Sequence, residues 1–132
     1  MDKIKINGIL AIVGTTIAKL LGGWDMALYV LISVIALDYI TGVLVAIFNK
    51  CVSSEIGYKG LLKKMMILLL VYLAVLLEQA TGTNVIRLLV IMFYIANEGI
   101  SVLENAGKLG VPYPPQIKKI LIQLKEGESI EK

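Results

Sequence analysis

The sequence predicts an all-α integral membrane protein with four helical membrane segments, a short C-terminal amphipathic helix and an oligomeric state. Three observations carry this. Hydrophobic residues make up 58% of the 132 positions, and the mean hydropathy is +0.83, too apolar for an ordinary soluble domain. The run Met26 to Phe48 has 23 residues and one charge, Asp38; at the helical rise it is ~34 Å long, enough to cross a hydrocarbon core of ~30 Å. Twelve of the thirteen basic residues are lysines, and they gather outside the apolar runs. One membrane domain over 1–132 is expected, with helices at about 7–22, 25–49, 59–81 and 84–106 and a tail helix at about 115–126.

The first helix is the least distinctive. Lys3 and Lys5 precede an apolar stretch, Gly8 to Leu21, interrupted by Lys19. The outline resembles a signal peptide, but no cleavage-type small-residue pattern follows. Gly8, Ala11, Thr15, Lys19 and Gly22 recur at helical spacing. The segment either spans, with Lys19 snorkelling to an interface, or lies on the surface. The wide apolar arc favours the span. Gly22-Gly23 ends it, and Trp24 stands where an interfacial aromatic anchors.

The second helix is the 23-residue run itself. Gly42 and Ala46 form a small-xxx-small face that admits a neighbouring helix. Residues 49–64 read as a polar connection with four lysines against Glu55, and Gly57 and Gly60 permit turns. The third helix, about 59–81, crosses if Lys63 and Lys64 snorkel. Thr81-Gly82-Thr83-Asn84 is a short uncharged turn, with Thr83 or Asn84 as the next N-cap. The fourth helix contains Arg87, Asn97, Glu98, Gly99 and Glu104, and Gly107 is its expected stop. After a proline-marked hinge, Ile117, Ile120, Leu121 and Leu124 form one stripe of the tail helix. Lys118, Lys119 and Lys125 lie off it, suited to an anionic leaflet or to docking on a neighbouring subunit. Residues 127–132 read as a loose polar end.

Charge placement gives the topology. Lys3–Lys5, Lys50–Lys64 and Lys108–Lys125 fall on the cytoplasmic side under the positive-inside rule, and the turns near Asp25 and Gly82 contain no lysine. Both termini are then cytoplasmic in a bacterial inner membrane. With the first helix on the surface there are three spans and an external amino terminus.

Depth follows from the helical rise. Asp38 is ~18 Å from the Met26 end, and Asn97 and Glu98 are ~20 Å from Asn84. The three share one level, and Tyr39 and Thr41 lie close to it. An acid at mid-membrane costs at least about 2.5 kcal/mol, so Asp38 and Glu98 should face protein, another subunit or water. The expected polar face of an oligomer or pore is therefore Asp38, Tyr39, Thr41, Asn97 and Glu98, with Gly42, Ala46 and Gly99 as helix-packing positions. Two acids at one level in low dielectric tend to keep a proton. The alternative to a functional face is that each acid bonds backbone or hydroxyl groups of the next helix.

Catalysis has no constellation to rest on. Histidine is absent and Cys51 is the single cysteine, so neither a zinc set nor a histidine-based nucleophile can be built. No P-loop is present, and no cofactor is expected. The lysines read as topology signals rather than a nucleic-acid footprint.

The order of pieces then carries a resemblance. Leu37-Asp38-Tyr39-Ile40-Thr41-Gly42 in mid-span is followed by Ser53-Ser54 and Lys59-Gly60-Leu61-Leu62-Lys63-Lys64. Asn97-Glu98-Gly99-Ile100-Ser101 and Glu104-Asn105 follow, then Gly107-Lys108-Leu109-Gly110-Val111-Pro112 and the basic tail. Over about residues 25–125 this resembles the phage-lysis and toxin-secretion holin family, which includes holin-like proteins encoded beside large clostridial toxins. The resemblance implies a small protein that oligomerises in the cytoplasmic membrane and opens lesions through which an endolysin or a toxin passes. It implies no catalytic residues, and its recurrent polar positions match Asp38, Thr41, Gly42, Asn97, Glu98, Glu104 and Asn105. The residues themselves leave open a small accessory or ion- and proton-conducting membrane protein that uses Asp38 and Glu98.

Overall fold

The computed structural model describes residues 2–127. Within them lie five helices: α1 (Lys3–Leu20), α2 (Met26–Phe48), α3 (Ser54–Thr81), α4 (Ile86–Lys108) and α5 (Pro115–Glu126). The expected loose end beyond Gly127 lies outside the described residues.

Three helices, α2, α3 and α4, have the length and hydropathy to cross a membrane. The expected fourth span is not among them. Lys3, Lys5 and Lys19 place three charges in the 18 residues of α1, and α1 has no buried residue.

Local chemistry explains the helix ends and corrects several expected ones. Asp25 Oδ1 accepts from the Leu28 N–H at 2.9 Å and starts α2. The segment read as a polar connection is mostly helix: Ser53 caps α3 by accepting from the Ile56 N–H, and Glu55 pairs with Lys59 one turn on at 3.2 Å. Gly57 and Gly60 sit inside that helix rather than at turns. Neither Thr83 nor Asn84 caps α4. Its N-cap is Val85, and Glu78 of α3 reaches over to accept from the Arg87 N–H at 2.8 Å. Gly107 does not stop α4, which runs on to Lys108; Gly110 takes the left-handed conformation beyond it, φ +79°. Pro115 opens α5 at a position where its missing N–H costs nothing.

α2, α3 and α5 all pack on α4, whereas α2 and α3 touch each other little. The apolar core fills the end of the bundle nearest the Asp25 and Gly82 turns. Leu21, Leu28, Leu31, Ile67, Val71, Ile91 and Ile95 form it. Each stripe continues into polar residues toward the other end: Leu28, Leu31 and Asp38 on α2; Ile91, Ile95, Glu98 and Asn105 on α4; Val71, Ile67 and Lys64 on α3. In lipid the solvent does not drive such association, so close packing and polar bonds between helices must. At the far end α2 and α3 leave a gap over α4.

Candidate functional site

The polar ends of the three stripes converge. Lys64 Nζ donates to Asp38 Oδ2 and to Glu98 Oε1 at 2.7 Å. The side chains of Asp38, Lys64 and Glu98 are 10%, 17% and 5% exposed, so one ammonium on α3 ties α2 to α4. Asn105 Nδ2 donates to Thr41 Oγ1 at 2.8 Å and to Asp38 Oδ1 at 3.3 Å. The Thr41 hydroxyl donates to the Asp38 carbonyl at 3.1 Å. Among the described residues no buried side-chain nitrogen or oxygen lacks a partner. With both carboxylates ionised, the three charged groups sum to a net −1.

Sequence reasoning gives Lys64 no partner; the structure puts it between Asp38 and Glu98. Lys63 and Lys64 both fall at helical spacing from Ile67 and Val71, so phase along α3 does not choose between them, and the choice is made by where α3 crosses the acids of α2 and α4. Asn97, grouped with Asp38 by depth, is half-buried and takes no part in this bonded set; Asn105, two turns further along α4, fills the role. Tyr39 points to α3, where a Cβ on Gly57 would lie 3.2 Å from its hydroxyl. Gly42 faces Asn105, whose Nδ2 is 4.0 Å from the position of a Cβ there. Glu104 is exposed.

A cleft of about 620 Å³ opens beside the cluster, between α2 and α3. Asp38, Lys64, Ser101 and Asn105 form its polar floor, and Tyr39, Val43, Ala46, Val52 and Ile56 its walls. Cys51 lines its mouth and is exposed.

The tail helix seats on α4 of its own chain. A Cβ on Gly99 would lie 3.0 Å from Leu121 Cδ2, so glycine permits that approach. Lys118, Lys119 and Lys125 remain on the exposed face.

At the opposite end Arg87, 11% exposed, holds the α1–α2 turn. Its Nε donates to the Leu21 carbonyl at 2.6 Å and its Nη2 to the Gly23 carbonyl at 3.0 Å. Its Nη1 pairs with Asp25 Oδ2 at 2.7 Å. Gly22, at φ +94°, lies where a Cβ would collide with the Arg87 side chain, so both its handedness and its bareness are required. The guanidinium beside Asp25 holds that carboxyl below its ordinary range. Sequence reading leaves Arg87 near this surface without a role, because its partners lie more than sixty positions away.

No solved structure matches the chain. An uncharacterised 14.9 kDa protein from the nagH 3′ region of Clostridium perfringens is 44% identical, covering 84% of this chain and 86% of its own. An uncharacterised protein of Listeria monocytogenes, Lmo0128, is 39% identical over 100% of this chain and 96% of its own. A probable holin of Bacillus phage phi105 is 37% identical over 61% of each chain. The sequence model of the bacteriophage holin family matches residues 15–126, the segment that contains the ion cluster, the cleft and the tail helix: the chain belongs to the bacteriophage holin family.

Proposed function

We infer that the chain opens lesions in a bacterial cytoplasmic membrane, acting there as one membrane domain in several copies. The observation that carries this reading, beyond family membership, is a buried cluster of two carboxyl groups around one ammonium at the edge of an open cleft. Such a cluster is costly against lipid. It is tolerated when covered by protein that satisfies its polar atoms and when wetted by a lumen. A small assembly that covers it and a larger one that lines water with it are thus two accessible arrangements of the same surfaces. Asp38, Tyr39, Thr41 and Glu98 would line the polar face, Asn97 would border it, and Gly42 and Ala46 would admit a neighbouring helix.

Charge placement supports cytoplasmic termini, with the α2–α3 connection and the cleft mouth on the cytoplasmic side. α1 then crosses as a fourth segment, with Lys3 and Lys5 inside and Lys19 at the outer edge. Lys118, Lys119 and Lys125 meet the anionic inner leaflet. The cargo is a cytosolic endolysin or a toxin. No catalytic step is involved, and no cofactor or nucleic acid.

A second reading rests on the two carboxylates around one ammonium beside a cleft: an ion- or proton-conducting accessory protein. The two are separated by what crosses. Expressed with a cytosolic endolysin that has no lesion-former of its own, a holin produces abrupt loss of culture turbidity. A small-ion pathway leaves the endolysin inside and the culture turbid.

A further inference from the structure

We propose that α1 of one copy seats in the α2–α3 cleft of a second copy, with Lys5 facing the Asp38–Lys64–Glu98 cluster. This rests on the lesion-forming reading and names the contact by which copies join.

Four observations converge. The cleft is open in its own chain. α1 has no buried residue, with Ile4 79% and Ile12 69% exposed, so its side chains are free to enter a neighbour's cleft. With both carboxylates ionised the cluster sums to a net −1, and α1 brings the complementary cation, Lys5. The depths also agree. With α1 across the bilayer, Lys5 lies fifteen residues from Leu20 and Asp38 twelve from Met26, or ~22 Å and ~18 Å from the same end at the helical rise. The flexible four-carbon lysine stem covers the difference.

Arg87 completes the arrangement. By holding Leu21, Gly23 and Asp25 it fixes the root of α1 on its own α4, and the free length of α1 then reaches outward. The surfaces that meet are different on the two copies. A contact of that kind is heterologous, so each copy gives one helix and receives another, and the series closes only as a ring. Such a series accommodates many subunits.

The test is cysteine pairing in native membranes, with Cys51→Ser in every chain. One tagged chain carries Ile4→Cys, and a second, differently tagged, carries Val43→Cys on the cleft wall. Their depths are ~24 Å and ~26 Å by helical rise. Ala46→Cys provides a second wall position, and Leu44→Cys, 48% exposed on α2 outside the cleft lining and ~27 Å deep by the same rise, the control at matched depth. Oxidation should join Ile4→Cys to Val43→Cys or Ala46→Cys, and clearly less to Leu44→Cys. Lys5→Glu should reduce that product by about tenfold or more, because it sets like charges together, and Lys5→Arg should preserve it. If amine cross-linking shows oligomers but the wall positions pair no better than Leu44→Cys, the docking is overturned and the lesion-forming reading stands. If the copies stay monomeric at lytic expression levels, both are overturned.

Discussion

Replacing Lys64 by methionine keeps most of the unbranched side chain and removes the cation that bridges Asp38 and Glu98. The two carboxylates are 10% and 5% exposed, so water reaching them from the cleft replaces only part of the lost partner. Leaving a buried charge unpaired costs about 3–5 kcal/mol. Proton uptake limits that cost: protonating one ordinary carboxylate at neutral pH takes roughly 4 kcal/mol, at about 1.4 kcal/mol for each of three pH units. Both routes lead to a destabilisation of about 3–5 kcal/mol. Asp38→Asn behaves differently, because Lys64 and Glu98 remain as a balanced pair. Its loss is that of one charge-assisted bond, about 1.5–3 kcal/mol, offset by removal of the surplus charge. The assay is thermal unfolding in detergent micelles, followed through Trp24, the single tryptophan. Lys64→Met should lower the midpoint by about ten degrees or more, and clearly more than Asp38→Asn. The double variant Lys64→Met/Asp38→Asn should recover part of the loss. A Lys64→Met midpoint within a degree or two of the parent, or above that of Asp38→Asn, would refute the reasoning.

Two further predictions concern the ends of the bundle. Gly99→Val should lift α5, since even a Cβ there meets Leu121 at 3.0 Å; overpacking of this kind costs about 1–3 kcal/mol. Trypsin added to the cytoplasmic face of inverted vesicles should then cut at Lys118, Lys119 and Lys125 faster than in the parent, and unchanged cleavage would show that Gly99 is not the seat. The Arg87–Asp25 contact should respond to pH with a definite sign. The folded state lowers the Asp25 carboxyl below its ordinary value near 3.8, so the contribution is present above that value and is lost as pH falls through the lower folded value. Trp24 emission, titrated downward from pH 6, should show a transition below the ordinary aspartate range that Arg87→Gln abolishes. A transition that survives Arg87→Gln would assign it to another group.

Much of the helical layout is legible in the sequence because it depends on local quantities. A 23-residue apolar run has one stable form in lipid, and α2 ends within a residue of its expected limits. The tail helix is set by Pro115 and a four-residue apolar stripe. The start of α3 is not read, because Gly57, Gly60 and three lysines outweigh the weaker cap at Ser53 and the Glu55–Lys59 pair. The first helix has span-like apolar content, but three lysines in its 18 residues keep it out of the helices that length and composition alone mark as crossing. Depth arithmetic brings Asp38 and Glu98 to one level, and in the fold they share Lys64. The same arithmetic favours Asn97 over Asn105, because rise alone ignores phase: Ile91, Ile95, Glu98 and Asn105 share a face. Partner choices such as Arg87 with Leu21, Gly23 and Asp25, or Leu121 with Gly99, depend on how helices cross, which no local pattern encodes.

The most direct measurement is controlled expression in a bacterium that holds a folded cytosolic reporter enzyme, with membrane potential and reporter release followed together. Abrupt depolarisation accompanied by release of the folded reporter, after a delay, is the predicted result. Depolarisation with the reporter retained would contradict the lesion and leave an ion pathway.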